Sequence, residues 1–110
     1  MAYDEDLAHR IRALLRHEAG VSEKRMFGGL AFLVGGHLAV SASGQGGLLL
    51  RVDPARTEEL VGHPHASRAV MRGREMDGWL RIEAPALESD AELQHWVELG
   101  ASYARSLPAK

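Results

Sequence analysis

The sequence contains no cysteine, which excludes disulfides, thiolate metal sites and cysteine nucleophiles and is consistent with a reducing compartment. It has no apolar run near the roughly 20 residues a membrane helix requires. Neither sign of charge dominates: 13 Lys and Arg stand against 15 Asp and Glu, for a formal net charge of -2. Unspecific nucleic-acid binding needs surplus positive charge to displace counterions, so direct binding of that kind is disfavoured. Met1 to Asp6 is acidic and lacks the basic start and apolar stretch of a signal peptide, so a cytoplasmic location is expected. No segment repeats or is low in complexity. At 110 residues the chain suits one core and is too short for two, so a single domain over 1–110 is expected.

What is present is a regular alternation of signals. Asp4 can cap a helix running to about Glu18, with Glu5 and Asp6 where the helix dipole favours anions. Leu7, Ile11, Leu14 and Leu15 give it one apolar stripe. Residues 21–52 read as a strand meander. The charged triplet Glu23-Lys24-Arg25 runs into an apolar segment broken at Gly28-Gly29, where the backbone turns, bulges or lies close to another strand. Gly35-Gly36 is a two-residue hairpin signal. That turn sets Val34 opposite His37, Leu33 opposite Leu38, Phe32 opposite Ala39 and Ala31 opposite Val40. Ala31, Leu33, Leu38 and Val40 then form one apolar face suited to helices. The other face carries Leu30, Phe32 and Ala39, an unusual composition to leave in water.

Asp53-Pro54 opens a short second helix that Gly62 closes. Ala69 to Met71 and Gly78 to Glu83 read as two strands around a turn at Gly73 to Asp77. Ser89 and Glu92 form a capping box for a last helix. Gly100 and Ala104 on its apolar stripe would let it lie unusually close to its neighbour. The expected fold is α+β: a two-layer sandwich of antiparallel sheet and helices in the order α-β(3–4)-α-β(2)-α.

Catalytic signals are sparse. Gly44-Gln45-Gly46-Gly47 lacks a third spaced glycine and leads into Leu48-Leu49-Leu50 instead of a helix, so it reads as a turn and not a phosphate loop. Of six histidines, only His63 and His65 are close neighbours, and no third and fourth ligand accompany them, so no metal is expected. Ser41 and Ser43 have no nucleophile elbow or spaced triad partners. The residues nominate no catalytic group and no cofactor, and the expectation is a protein that is not an enzyme. Arg68, Arg72 and Arg74 form a basic patch that could grip an acidic partner or a phosphate. The plainer reading, charge keeping a strand edge soluble, is preferred. Trp79 shares a strand face with Arg81 and Glu83, which suits an interface; a tryptophan half-covered by a loop fits equally.

Several motifs in order carry a resemblance: Met1-Ala2-Tyr3-Asp4 before a helix, Lys24-Arg25-Met26-Phe27-Gly28-Gly29-Leu30-Ala31-Phe32, Gly73-Arg74-Glu75-Met76-Asp77-Gly78-Trp79, and Trp96-Val97 followed by Ala104-Arg105-Ser106-Leu107-Pro108. In these the chain resembles the N-terminal domain of the TfoX/Sxy family, proteins connected with natural competence. The resemblance implies a secretion-chaperone-like α+β architecture, often dimeric, and no catalytic residues. In family members that regulate competence, it implies a coactivator working with the cAMP receptor protein, with a second domain following this one. The sequence ends at Lys110 without a counterpart, so a stand-alone N-terminal module is expected.

The leading expectation is a regulatory protein–protein interaction module with an unidentified protein partner, forming a homodimer. Its candidate interface is Leu30, Phe32, Ala39, Trp79 and Arg81. The competing expectation is a small-molecule binding protein or enzyme with a pocket near Gly28, Gly29 and Trp79.

Overall fold

The computed structural model describes residues 3–26 and 28–109. Phe27 of the central motif, Met1 and Ala2 of the opening one, and Lys110 lie outside the described residues. Helix α1 spans Glu5–Leu14 and is capped by Asp4, whose carboxylate accepts the Leu7 N–H at 3.2 Å. It ends short of the expected Glu18 because its buried stripe, Leu7, Ile11 and Leu15, runs out there; Arg16 and His17 are exposed and have nothing to bury.

Strands β1 (Val21–Met26), β2 (Gly29–Val34), β3 (His37–Ala42) and β4 (Leu48–Arg51) follow. A 3-10 turn, Pro54–Arg56, leads into the single-turn helix α2, Thr57–Leu60. Then come β5 (Ala66–Met71), β6 (Arg74–Ile82), a second 3-10 turn (Ala84–Leu87) and α3 (Asp90–Ser106). The strands form one antiparallel six-stranded sheet in the order β1-β2-β3-β4-β6-β5. The α+β order expected from the sequence is therefore the one observed.

Gly35 and Gly36 take φ of 60° and 87° in the β2–β3 turn, which fixes Val34 opposite His37 and Leu33 opposite Leu38. Beyond that point the expected register fails. Phe32 faces Val40 and Ala31 faces Ser41, so Ala39 is an extra residue on β3. A bulge of this kind exchanges the faces of everything past it. The surface that meets the helices is consequently built on Leu30, Phe32, Val40 and Ala42, joined by Leu48, Leu50, Leu80 and Ile82 and sealed by residues of α1 and α3, Trp96 and Ala101 among them.

The bulge also explains the reach of α3. A Cβ at Gly100 would collide with the Ala39 carbonyl oxygen and with the Leu50 and Val40 side chains, so the helix settles against the sheet at its one residue without a side chain. Ser89 caps α3 by accepting the Glu92 N–H at 3.4 Å. The Glu92 carboxylate instead accepts the Trp96 indole N–H at 3.1 Å, which ties the largest core side chain to the first turn.

Bidentate ion pairs fasten the rim of this layer. Arg12 holds Glu23 of β1 at 2.6 and 2.8 Å while its guanidinium lies 5.9 Å from the centre of the Phe32 ring. Arg105 of α3 holds Glu18 at 2.7 and 3.0 Å.

Candidate functional site

The face opposite the helices has a different character. One row of paired positions crosses it: Lys24, Ala31, Ser41, Leu49, Arg81 and Ser67. Short side chains dominate its middle, and Ser41 spends its hydroxyl by donating to the Leu30 carbonyl at 3.1 Å. At one end the β5–β6 hairpin borders a hollow. Arg68 faces Leu80, yet the next pair is Ala69 with Met76, so Asp77, Gly78 and Trp79 are extra residues on β6. Gly78, at φ 85°, anchors this jog: its N–H donates to the Thr57 hydroxyl at 2.7 Å and its carbonyl accepts the Val52 N–H at 2.9 Å. Such a jog re-aims the strand beyond it. The hairpin and Leu49 of β4 then enclose a groove of about 980 Å³.

Its apolar lining is Leu49, Ala69, Val70, Met71 and Met76, and its charged lining among the described residues is four arginines, Arg68, Arg72, Arg74 and Arg81, with no carboxylate. The four are not equivalent. Arg68 donates to Asp77 at 2.8 Å and Glu58 at 2.6 Å; these carboxylates, Asp77 first, hold its proton more firmly than usual. Its charge is thereby answered from within the chain. Arg81 is half-buried and gives its hydrogen bonds to neutral oxygens: the Ser43 hydroxyl at 3.0 Å and the Gln45 and Gly46 carbonyls at 3.0 and 2.7 Å. It braces the β3–β4 turn and, among the described residues, enters no ion pair. Arg72 and Arg74 are exposed at the hairpin tip, and among the described residues neither enters an ion pair.

Of the expected basic patch, Arg72 and Arg74 border one hollow with Arg81, while Arg68, opposite Leu80 in the ladder, contributes to the wall but turns its guanidinium to Asp77 and Glu58. Trp79 does not line it; its ring lies 5.5 Å from the Arg51 guanidinium, which also faces the Tyr103 ring at 5.6 Å. Leu30, Phe32 and Ala39 are corrected outright. They are 7%, 0% and 0% exposed, because the Ala39 bulge turns that face inward, beneath the chain's own helices. The uncovered face that motivated a homodimer is therefore absent at those residues. Nor are Gly29 and Trp79, expected beside one pocket with Gly28, brought together. Gly29 packs against Ala42 and Gly44 at one end of the sheet, whereas Trp79 pairs with Arg51 at the other.

Three contributors carry no distinctive mark of their own in the sequence. Leu49 is one apolar residue in a row of three, and the sequence signals put Met71 at a strand end and Met76 in a turn. The turn is in fact only Arg72-Gly73, with φ of 55° and 77°, and β6 begins at Arg74. The readable signal was the pattern Met-Arg-Gly-Arg-Glu-Met, with glycine at the second turn position.

The close pair His63 and His65 is engaged in local contacts. His63 Nδ1 accepts the His65 N–H at 3.2 Å, and its ring meets Trp96 edge-on at 5.3 Å. Among the described residues no group of three or more His, Asp or Glu side chains gathers as metal ligands.

Fold and groove together define a class: a two-layer α+β protein whose sheet is sealed by helices on one face and carries a cationic, partly apolar groove on the other. The chain matches the TfoX N-terminal domain over residues 13–104 and belongs to that family. No curated protein and no solved structure matches it.

Proposed function

We propose that this TfoX-type domain is a cytoplasmic regulatory module that works by contact with another protein, in a coactivator type of role, and catalyses no reaction. The groove carries this reading. It is an exposed hollow of mixed apolar and cationic lining, and Val70 beside it is 65% exposed. Apolar anchors surrounded by arginine are the usual makings of a protein-binding surface. The polar groups that line it are guanidiniums, two hydroxyls and an amide. These bind and orient, and none supplies a general base near neutral pH. Membership of the TfoX family supports the regulatory part of the reading.

Photo-crosslinking in the native cell tests it. A photoreactive residue in place of Val70 should give a discrete protein adduct, while one in place of Gln94, exposed on the outer side of α3, should not. Adducts at neither position, or the same adducts at both, would overturn the proposal.

A further inference from the structure

Resting on that reading, we infer that the groove takes an extended, acidic segment of a partner protein, with apolar residues alternating with carboxylates. Charge is the first ground. The chain as a whole is net negative at -2, yet this hollow is walled by arginines and, among the described residues, holds no Asp or Glu. With Arg68 already neutralised by Asp77 and Glu58, three cations remain without an anionic partner among the described residues: Arg81 at the base and Arg72 and Arg74 at the tip. A guanidinium is planar and matches a carboxylate through paired N–H donors, so an acidic side chain is its natural complement.

The floor supplies the second ground. Leu49, Ala69, Met71 and Met76 offer apolar contact between the cations, and methionine side chains reshape themselves around whatever they meet. A ligand that is only anionic would leave this surface wet. A single-stranded nucleic acid would call for aromatic platforms on which bases stack; among the described residues no aromatic side chain lines the groove, and Trp79 lies outside it against Arg51.

Shape is the third. One wall is β5, an edge strand of the sheet, so the groove is bordered on that side by the last strand and is open to a chain running along it. In an extended occupant successive side chains point to opposite sides, which is the spacing needed to set apolar groups on the floor and carboxylates on the rim.

Selection from a displayed library of random short peptides on the 110-residue chain, followed by fluorescence anisotropy of the enriched peptides, tests the inference. Enriched sequences should be rich in Asp and Glu alternating with Leu, Val or Ile. Their affinity should fall about tenfold or more on the R72E/R74E variant and recover in part when Lys replaces Asp and Glu in the peptide. Met76→Glu, which adds a carboxylate to the groove without touching the turn, should weaken them as well, and circular dichroism should show both variants folded. Neutral or basic winners, or winners that bind R72E/R74E equally, would overturn the groove assignment while leaving a protein-interaction role standing. Tighter binding of single-stranded oligothymidine than of any enriched peptide would transfer the groove to nucleic acid. No enrichment at all would also overturn the inference, with the crosslinking result still deciding the wider reading.

Discussion

Two neighbouring rows of side chains cross the sheet and point in opposite directions. One is Glu23, Phe32, Val40, Leu50, Leu80 and Arg68; the other is Lys24, Ala31, Ser41, Leu49, Arg81 and Ser67. They share the same strands and the same ladder of backbone hydrogen bonds, so backbone preference cannot distinguish them. Side-chain size does. In the first row the central four are large, fully buried and sealed by α1 and α3. In the second, Ala31, Ser41 and Leu49 are buried but smaller or outside the helix-sealed core, and the row ends at the half-buried Arg81 and the exposed Ser67, with an arginine where its mirror row has a leucine. One face is filled along its length beneath the helices, and the other is hollow only at its β5–β6 end, where the groove lies.

The strongest way to break that contrast is to truncate one residue from each row. Phe32→Ala removes a ring that is 0% exposed and leaves a void beneath two helices, which should cost about 3–5 kcal/mol. Leu49→Ala opens onto the groove, where water replaces the lost side chain, so only the transfer contribution of roughly 1–2 kcal/mol is expected. Urea denaturation of both variants gives the two numbers. Equal losses would mean that the open face is as much a part of the core as the closed one.

How far the sequence disclosed this contrast depends on the element. Helices, strands and turns were legible because each is announced locally: Asp4 and Ser89 as caps, Gly35-Gly36 as a turn, Leu7 and Ile11 as a stripe. The identity of the buried face was not legible, since one extra residue at Ala39 reverses it and alanine there carries no mark of a bulge. Gly100 announced a close approach without naming its target, the Ala39 carbonyl. The arginines were readable as a cluster, but their separate fates were not. Arg68 is answered by Glu58 and Asp77, and Arg81 by carbonyls of a turn 35 and 36 residues earlier. Such pairings exist only once the β6 jog has placed the strands.

Acid should separate the two faces next, with a smaller effect. Arg105 holds the Glu18 carboxyl below the usual carboxylate range, and Arg12 does the same for Glu23. Because these folded-state pKa values lie below those of the unfolded chain, the stability they contribute is complete above about pH 4.5 and is lost as pH falls through the folded values. Both pairs belong to the helix-bearing layer. Arg105→Gln should therefore lower stability at neutral pH and flatten its decline in acid, whereas Arg74→Gln should leave the pH profile of unfolding unchanged. A similar flattening from Arg74→Gln would show that the groove cations already have carboxylate partners, contrary to their geometry.

The smallest effect is expected at the hairpin tip, where the two demands meet in one residue. Arg72 sits at φ 55°, a left-handed conformation that costs a side-chain-bearing residue about 1 kcal/mol, whereas Asn before Gly is the favoured sequence for this turn. Arg72→Asn should therefore raise stability by up to about 1 kcal/mol, seen as a higher urea midpoint at unchanged slope. The same change removes a rim cation and should weaken an acidic occupant of the groove. If both occur, the tip carries a residue that costs the fold stability and serves the open face. A fall in stability would instead assign the guanidinium to holding the hairpin together, and the division of labour between the two faces would end short of the tip.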